Sequence, residues 1–267
     1  MDSRSRRLLL VDALNLIRRV YAAQPGPDGP DRAAAARTAS VQSLERALRD
    51  CSPTHAGCVF DGEGRSWRHE LYPSYKAGHA PMPAALGEAL DSYRKAFREA
   101  GVASLGLPGL EADDVIATAA SKAAAAGIAT VILSTDRGFL QLLPAGVRIR
   151  DHFRRIDLDA SSVAKKFGVR PEQLADLHAL AGDRGNGIPG VPGIGAKTAA
   201  QLLGRFETLE RALEAAGDLE GKLGKRLLEH AEAARLYRRL VGLKTDLDLG
   251  TNLSELRYTP RSRSAGP

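Results

Sequence analysis

Asp12, Asp61, Glu111, Asp113, Asp114 and Asp136 stand where a parallel sheet would gather them. Asp12 closes the apolar run LLLVD, Asp61 closes GCVFD and Asp136 closes TVILSTD. The cluster E-A-D-D at 111–114 precedes an Ala-rich helical stretch. Carboxylates packed together repel one another and raise each other's pKa unless a cation joins them. Hard divalent cations such as Mg²⁺ take oxygen ligands. The set therefore points to metal-assisted chemistry on phosphate esters. For a single acid such as Glu111 the alternative is helix capping, because first turns favour negative charge.

The elements that position these acids are readable from the apolar pattern. Short, continuous apolar runs predict buried strands at 7–11, 56–60, 102–105 and 147–151, with a further strand over TVILS. Helices are predicted over 12–22, 32–50, 84–100 and 112–126, with a Pro/Gly loop at 24–31. Alternating strands and helices imply an α/β fold with a mostly parallel central sheet and covering helices. In such sheets ligands bind beyond the carboxyl ends of the strands, which is where Asp12, Asp61 and Asp136 fall. After about residue 160 the pattern turns all-helical, with helices predicted over 171–181, 196–204, 207–216 and 222–241. The domains expected are 1–160 for the α/β part, 161–258 for the helical part and 259–267 for a disordered tail.

Composition narrows the partners. The chain has 267 residues, 43% hydrophobic content and a formal net charge of +6. A basic protein with an acidic pocket suits a polyanion held by Lys and Arg and cut at a metal. Cys51 and Cys58 show no zinc-ligand spacing, so idle thiols in a reducing compartment are expected. The N-terminal apolar run is broken by Asp12, which disqualifies it as a signal peptide. No apolar segment of roughly 18 residues exists, so no membrane span is expected, and the protein is placed in the cytoplasm.

Two further segments could bind nucleic acid. G-V-P-G-I-G-A-K-T-A at 190–199 places Gly193 and Gly195 before a helix starting near Ala196. Free N–H groups at that start suit a phosphate, and Lys197 adds charge. The spacing is not that of a P-loop. A tight helix–helix corner is the alternative reading. The second segment, 65–79, interleaves Arg65, Arg68, His69, Lys76 and His79 with Trp67, Tyr72 and Tyr75. Cations among aromatics suit single-stranded or frayed nucleic acid, although Trp67 could equally belong to the core.

Together these residues resemble the 5′-nuclease (flap endonuclease) family, most widely the bacterial 5′–3′ exonuclease domain attached to DNA polymerase I. The motifs that carry the resemblance are VDALNLIRR, FDGEGRSWRHELYPSYKAGHAPMP, LEADDVIAT, STDRGFLQLL and GIPGVPGIGAKTAAQLL, in the family's order across 11–203. LKTDLDL near the C-terminus also looks familiar. With no polymerase after it, the chain is expected to be free-standing and is most similar to the exonuclease IX-like group.

The resemblance implies a PIN-like fold, a helical arch over about 73–100 and a helix–two-turn–helix of the helix-hairpin-helix type. It implies Mg²⁺-dependent cleavage of branched or 5′-flapped duplex DNA, with Mn²⁺ able to substitute. It assigns catalysis to Asp12, Asp61, Lys76, Glu111, Asp113 and Asp114, and metal binding to Glu111, Asp113, Asp114, Asp136 and Asp183. Carbonyls of Leu180, Ala181, Pro189, Val191 and Ile194 would hold K⁺. Arg68, Tyr75, Lys76, Gly193, Ile194, Gly195, Ala196, Lys197 and Thr198 would contact DNA. A monomer without an obligate protein partner is expected. The chain departs from the pattern where the family usually has a second aspartate in two motifs: Gly138 and Asn186 stand there, and His79 replaces an arginine. One complete and one depleted metal site follow. A catalytically weak or inactive DNA-binding protein is the alternative, and an RNA-directed nuclease of the PIN-like fold is a third reading.

Overall fold

A computed structural model describes residues 6–260. Six strands form one sheet: β1 (Arg7–Asp12), β2 (His55–Val59), β3 (Ala103–Leu105), β4 (Ala129–Leu133), β5 (Arg148–Asp151) and β6 (Ile156–Leu158), in the order β3-β2-β1-β4-β5-β6. All neighbours are parallel except β5 and β6. The antiparallel β6 was not expected from the sequence. It is three residues long and is held to β5 partly by charge, with Arg150 Nη1 donating to Asp157 Oδ1 at 3.0 Å and Arg148 pairing with the same carboxylate.

The sheet is buried on both faces, which explains why its strands read as apolar runs rather than alternations. Leu8 and Leu10 of β1 face α5 (Ala112–Ala125), while Leu9 and Val11 face α1 (Ala13–Ala23) and α2 (Pro30–Cys51). Cys58 is buried in the second face, and burial pushes its thiol pKa up, as befits an inert core thiol. Chain direction across the sheet reverses between β1 and β4, which makes their carboxyl ends the switch-point crevice of a doubly wound sheet.

The helix predicted over 84–100 forms as α4 (Ala84–Glu99), but it does not stand away from the body as an arch. Leu86, Tyr93 and Phe97 are fully buried, and the Tyr93 hydroxyl donates to the Ala33 carbonyl of α2 at 3.0 Å. The amphipathic spacing that predicted the helix is the reason it packs. Arg68 of the short α3 (Trp67–Leu71) and Tyr75 and His79 of the loop after it lie along the wall of the cleft described below.

The helical half comprises α6 (Ala160–Phe167), α7 (Leu174–Ala181), α8 (Ala196–Phe206), α9 (Leu209–Glu214), α10 (Lys222–Glu229) and α11 (Ala231–Val241). The helix α6 was missed from the sequence despite a capping box, in which Asp159 accepts from Ser162 N at 2.8 Å. The single helix expected over 222–241 breaks at His230 into α10 and α11. The core is continuous across both halves, since Leu177, Leu180 and Leu203 join the same apolar cluster as Ile116 and Phe139. Of the tail expected to be disordered, residues 261–267 lie outside the described residues.

Candidate active site

Asp12 ends β1 and starts α1. Its Oδ1 accepts from Asn15 N at 3.1 Å, and its Oδ2 accepts from Ser134 Oγ at 2.8 Å. Ser134 follows β4 and also takes a bond from Asp136 N at 3.0 Å, so one hydroxyl ties the two strand ends together. Burial, with Asp136 and Asp61 adding repulsion against the two hydrogen bonds, pushes the Asp12 carboxyl up to about 7. Asp61 accepts from Ala112 N at 2.8 Å and so caps the start of α5.

The three acids of the E-A-D-D cluster separate into different jobs. Glu111 is the N-cap residue of α5, but its carboxylate does not cap the helix. It instead accepts from Arg68 Nη1 at 2.9 Å, Lys76 Nζ at 3.2 Å and the Tyr75 hydroxyl at 3.3 Å. Asp113, one residue into the first turn, turns into the cleft. There burial and the charges of Asp136 and Asp12 hold its pKa well above the usual carboxylate range, with Lys76 opposing them.

Asp114 corrects the sequence reading. It is 0% exposed, and both oxygens are already engaged. Arg68 grips it in a fork at 2.8 Å to each oxygen, Trp67 Nε1 donates to Oδ2 at 2.8 Å and Lys244 N donates to Oδ1 at 3.0 Å. A carboxylate saturated in this way has no lone pair facing the cleft for a metal.

Arg68 and Tyr75 are corrected with it. Both read as surface DNA contacts because a charged or phenolic side chain between other cations looks solvated. Arg68 is 2% exposed, and its remaining donors bind the carbonyls of Leu240 at 2.8 Å and Gly242 at 2.9 Å. Tyr75 is buried beside Ile188 and Leu240. Neither side chain presents a free donor to DNA.

Lys76 takes a left-handed backbone (φ 55°) and donates its N–H to the Asn186 carbonyl at 3.0 Å. That bond joins the loop after α3 to the turn after α7. Burial works against its ammonium, but Glu111 and Asp113 outweigh it and raise its pKa. His79 reaches the same turn through the Gly185 carbonyl.

A cleft of ≈ 350 Å³ brings Asp113, Asp136 and Asp183 together, with Gly138 and Asn186 also on its wall. The two departures have structural consequences. Gly138 donates its N–H to Asp136 Oδ1 at 2.7 Å, and Asn186 Nδ2 donates to Asp183 Oδ2 at 2.7 Å. Among the described residues no three carboxylates, histidines or cysteines stand close enough together to hold a metal ion by themselves. They surround a shared space instead, where burial first and neighbouring carboxylates second raise the pKa of Asp12 and Asp113. That donor set fits Mg²⁺, which keeps several waters and binds through one or two carboxylates plus substrate phosphates.

The second candidate element lies between α7 and α8. Gly182 (φ 85°) and Gly190 (φ 72°) let two backbone segments touch, and a Cβ at Gly190 would sit 2.3 Å from Gly182 N. Val191 N donates to the Leu180 carbonyl at 2.8 Å, and Asp183 and Ile188 exchange bonds of 2.8 and 2.9 Å. Gly193, Gly195, Ala196 and Lys197 are exposed at the start of α8, Thr198 is half-buried and Ile194 is buried beneath. Arg226 of α10 leans over Gly193. The same turn thus places Asp183 in the cleft and an open helix start on the surface.

Residues 7–168 match the family described as 5'-3' exonuclease, N-terminal resolvase-like domain, and residues 169–264 match 5'-3' exonuclease, C-terminal SAM fold. The chain belongs to the 5′–3′ exonuclease family. Among curated relatives it is 45% identical over 254 residues to flap endonuclease Xni of Vibrio parahaemolyticus, covering 94% of this chain and 96% of that one. It is 47% identical over 252 residues to flap endonuclease Xni of Cronobacter sakazakii, covering 94% and 97%. Among solved structures, a bacteriophage T5 D15 flap endonuclease complex with DNA and metal ions superposes with a TM-score of 0.73 at 25% identity, covering 88% and 89%.

Within this family member, sequence reasoning missed three supports of the site. Ser134 binds Asp12, Asn15 Oδ1 accepts from Thr135 N at 3.1 Å, and Lys244 stacks its ammonium 4.3 Å from the Trp67 ring centre. Only the D-x-x-N at 12–15 carried a local signal, as a helix start. No helix among the described residues is long and apolar enough to cross a membrane.

Proposed function

We propose that this protein is a Mg²⁺-dependent, structure-specific 5′-flap endonuclease and 5′–3′ exonuclease acting on branched DNA by phosphodiester hydrolysis. The observation that carries this reading is the cleft itself, where Asp113, Asp136 and Asp183 from three different segments share one wall. Bound divalent ions supply Lewis-acid polarisation of the phosphoryl oxygen and a lowered pKa for attacking water. Asp113, Asp12 and Asp61 would hold the inner ion with Glu111 behind them, and Asp136 and Asp183 the depleted outer one. Lys76 is parked on Glu111 and can turn its remaining N–H donors to a phosphate at the cleft mouth. Mn²⁺ would substitute for Mg²⁺, since both accept carboxylate and water oxygens.

The start of α8, with Lys197 and the N–H groups after Gly193, would seat a phosphate of the duplex. Carbonyls of Leu180, Ala181, Pro189, Val191 and Ile194 would form a K⁺ site, a reading supported by the close approach of backbone at Gly182 and Gly190. We read the protein as a cytoplasmic monomer with an α/β nuclease half, 1–160, and a helical DNA-binding half, 161–258. Steady Mg²⁺-dependent cleavage of a 5′-flapped duplex, faster than the trimming of a blunt duplex lacking a 5′ branch, is the result that bears this out. Binding without product in either Mg²⁺ or Mn²⁺ would favour the inert DNA-binding reading, which Gly138 and Asn186 support by tying up Asp136 and Asp183.

Exchanging K⁺ for Li⁺ at constant ionic strength weakens duplex binding if the K⁺ reading holds. Affinity measured by fluorescence anisotropy is the check, and equal affinity in both salts removes it. A general fall with added salt carries no weight, because phosphate contacts alone produce it.

A further inference from the structure

The β5–β6 hairpin reads D-H-F-R-R-I over 151–156, and its tip departs from the rest of the sheet in leaving large apolar side chains in solvent. Phe153 is 40% exposed and Ile156 44%. One exposed apolar residue needs no explanation. Three features set Phe153 apart. The hairpin turn is rigid: Asp151 Oδ1 accepts from Phe153 N at 3.1 Å and Arg154 N at 3.0 Å, and the neighbouring His152 binds Ser43 Oγ at 2.7 Å in the core. The ring is braced, with the His152 ring edge-on at 5.7 Å and the Arg19 guanidinium 5.0 Å from its centre. Its surroundings are cationic, since Arg19, Arg154 and Arg155 are all exposed there. Asp151, in the same turn, stands 3.9 Å from Arg154 Nε.

Position decides what such a platform serves. β5 runs parallel to β4, so its carboxyl end opens on the same side of the sheet as Asp12 and Asp136. Arg19 Nη1 donates to Thr135 Oγ1 at 3.3 Å, and Thr135 is the residue before Asp136. Phe153 therefore connects to the acidic cleft through one arginine and one peptide. An aromatic ring flanked by guanidinium groups is the combination that holds an unpaired nucleobase by stacking and its neighbouring phosphates by charge.

We propose that Phe153, backed by Arg19, is a stacking platform for an unpaired base of the DNA substrate, with Arg154 and Arg155 meeting the adjacent phosphates. The proposal rests on the flap-nuclease reading for the identity of the substrate. It adds a contact for the unpaired strand, distinct from the duplex contact at the start of α8.

The test uses the full chain and flapped duplexes that carry 2-aminopurine at successive unpaired positions. Binding is followed in EDTA, and cleavage is followed with Mg²⁺. Phe153→Ala should raise both Kd and KM by about 5- to 150-fold, the range for one lost base–aromatic stack, with kcat changed far less. One 2-aminopurine position should lose its fluorescence response in Phe153→Ala and keep it in Phe153→Tyr and Phe153→Trp. Thermal melting should be unchanged, because the ring is exposed. The proposal is overturned if Phe153→Ala stays within twofold of wild type on every flapped substrate that the wild type binds. It is also overturned if Tyr and Trp fail to restore binding, or if a fully paired duplex loses as much affinity as the flap. If the wild type cuts no flap at all, the functional reading fails on its own. Phe153-dependent binding of a single-stranded oligonucleotide would then still support the platform, and its absence would overturn it. Pull-down of a protein that competes at Phe153 while base stacking is absent would assign the hairpin to a protein partner instead.

Discussion

Single-turnover cleavage of a 5′-flapped duplex by Asp113→Ala is expected to fall about 10³-fold, the scale set by losing several kcal/mol of metal-borne charge stabilisation. Asp113 is the member of the E-A-D-D cluster turned into the cleft. Its raised pKa comes from burial and from Asp136 and Asp12, which means the carboxylate is held in place against repulsion. A cation relieves that cost, and alanine removes both the repulsion and the ligand. Stability against urea should therefore hold or rise slightly in Asp113→Ala, while Mn²⁺ binding followed by electron paramagnetic resonance weakens. DNA affinity in EDTA should not fall, since no phosphate contact is lost. Cleavage at the wild-type rate would remove Asp113 from the reaction.

Asp114→Ala should behave in the opposite way, losing about 3–5 kcal/mol of folding stability because it strands a buried guanidinium. Arg68 offers its donors to Asp114, Glu111 and two backbone carbonyls, and no water is needed to satisfy them. Removing Asp114 leaves the Trp67 and Lys244 N–H groups without acceptors as well. Urea unfolding should show the loss as a lower midpoint. The double replacement Arg68→Met with Asp114→Leu should recover only part of it, because it removes the stranded guanidinium but leaves the Trp67 and Lys244 N–H groups and the Leu240 and Gly242 carbonyls unpaired. If Asp114 were a metal ligand instead, the single variant would keep its stability and lose metal affinity. Adjacent aspartates thus separate by which property fails.

Most of the sheet could be read from the chain because its strands are buried on both faces and end in acids. LLLVD and TVILSTD are unambiguous in that sense, and they place Asp12 and Asp136 at one mouth. The hairpin strand β6 was illegible because Ile156–Leu158 is only three residues long, too short for a period to stand out. The break at His230 carries no Pro, and its neighbours on both sides are good helix formers. At the site, residue type marked the E-A-D-D cluster but could not sort the cleft-facing Asp113 from the enclosed Asp114. The direction each takes from α5 depends on Arg68, and the burial of Arg68 depends on carbonyls at 240 and 242. A side chain whose partners lie that far along the chain has no local signature. The same holds for α4, where periodicity gave the helix and tertiary packing decided that it lies down.

Those distant partners also bear on when the nuclease comes into being. The bonds from Arg68 span 172 and 174 residues, and that from Lys244 to Asp114 spans 130. Chains emerge from the ribosome N-terminal end first, and domains condense as their sequence becomes available. The carboxylate mouth can begin to form early from β1, β4 and α5, but its clamp has to wait for residues 240–244. A growing chain therefore carries its acids for most of its synthesis without the contacts that orient them, so cutting competence arrives late.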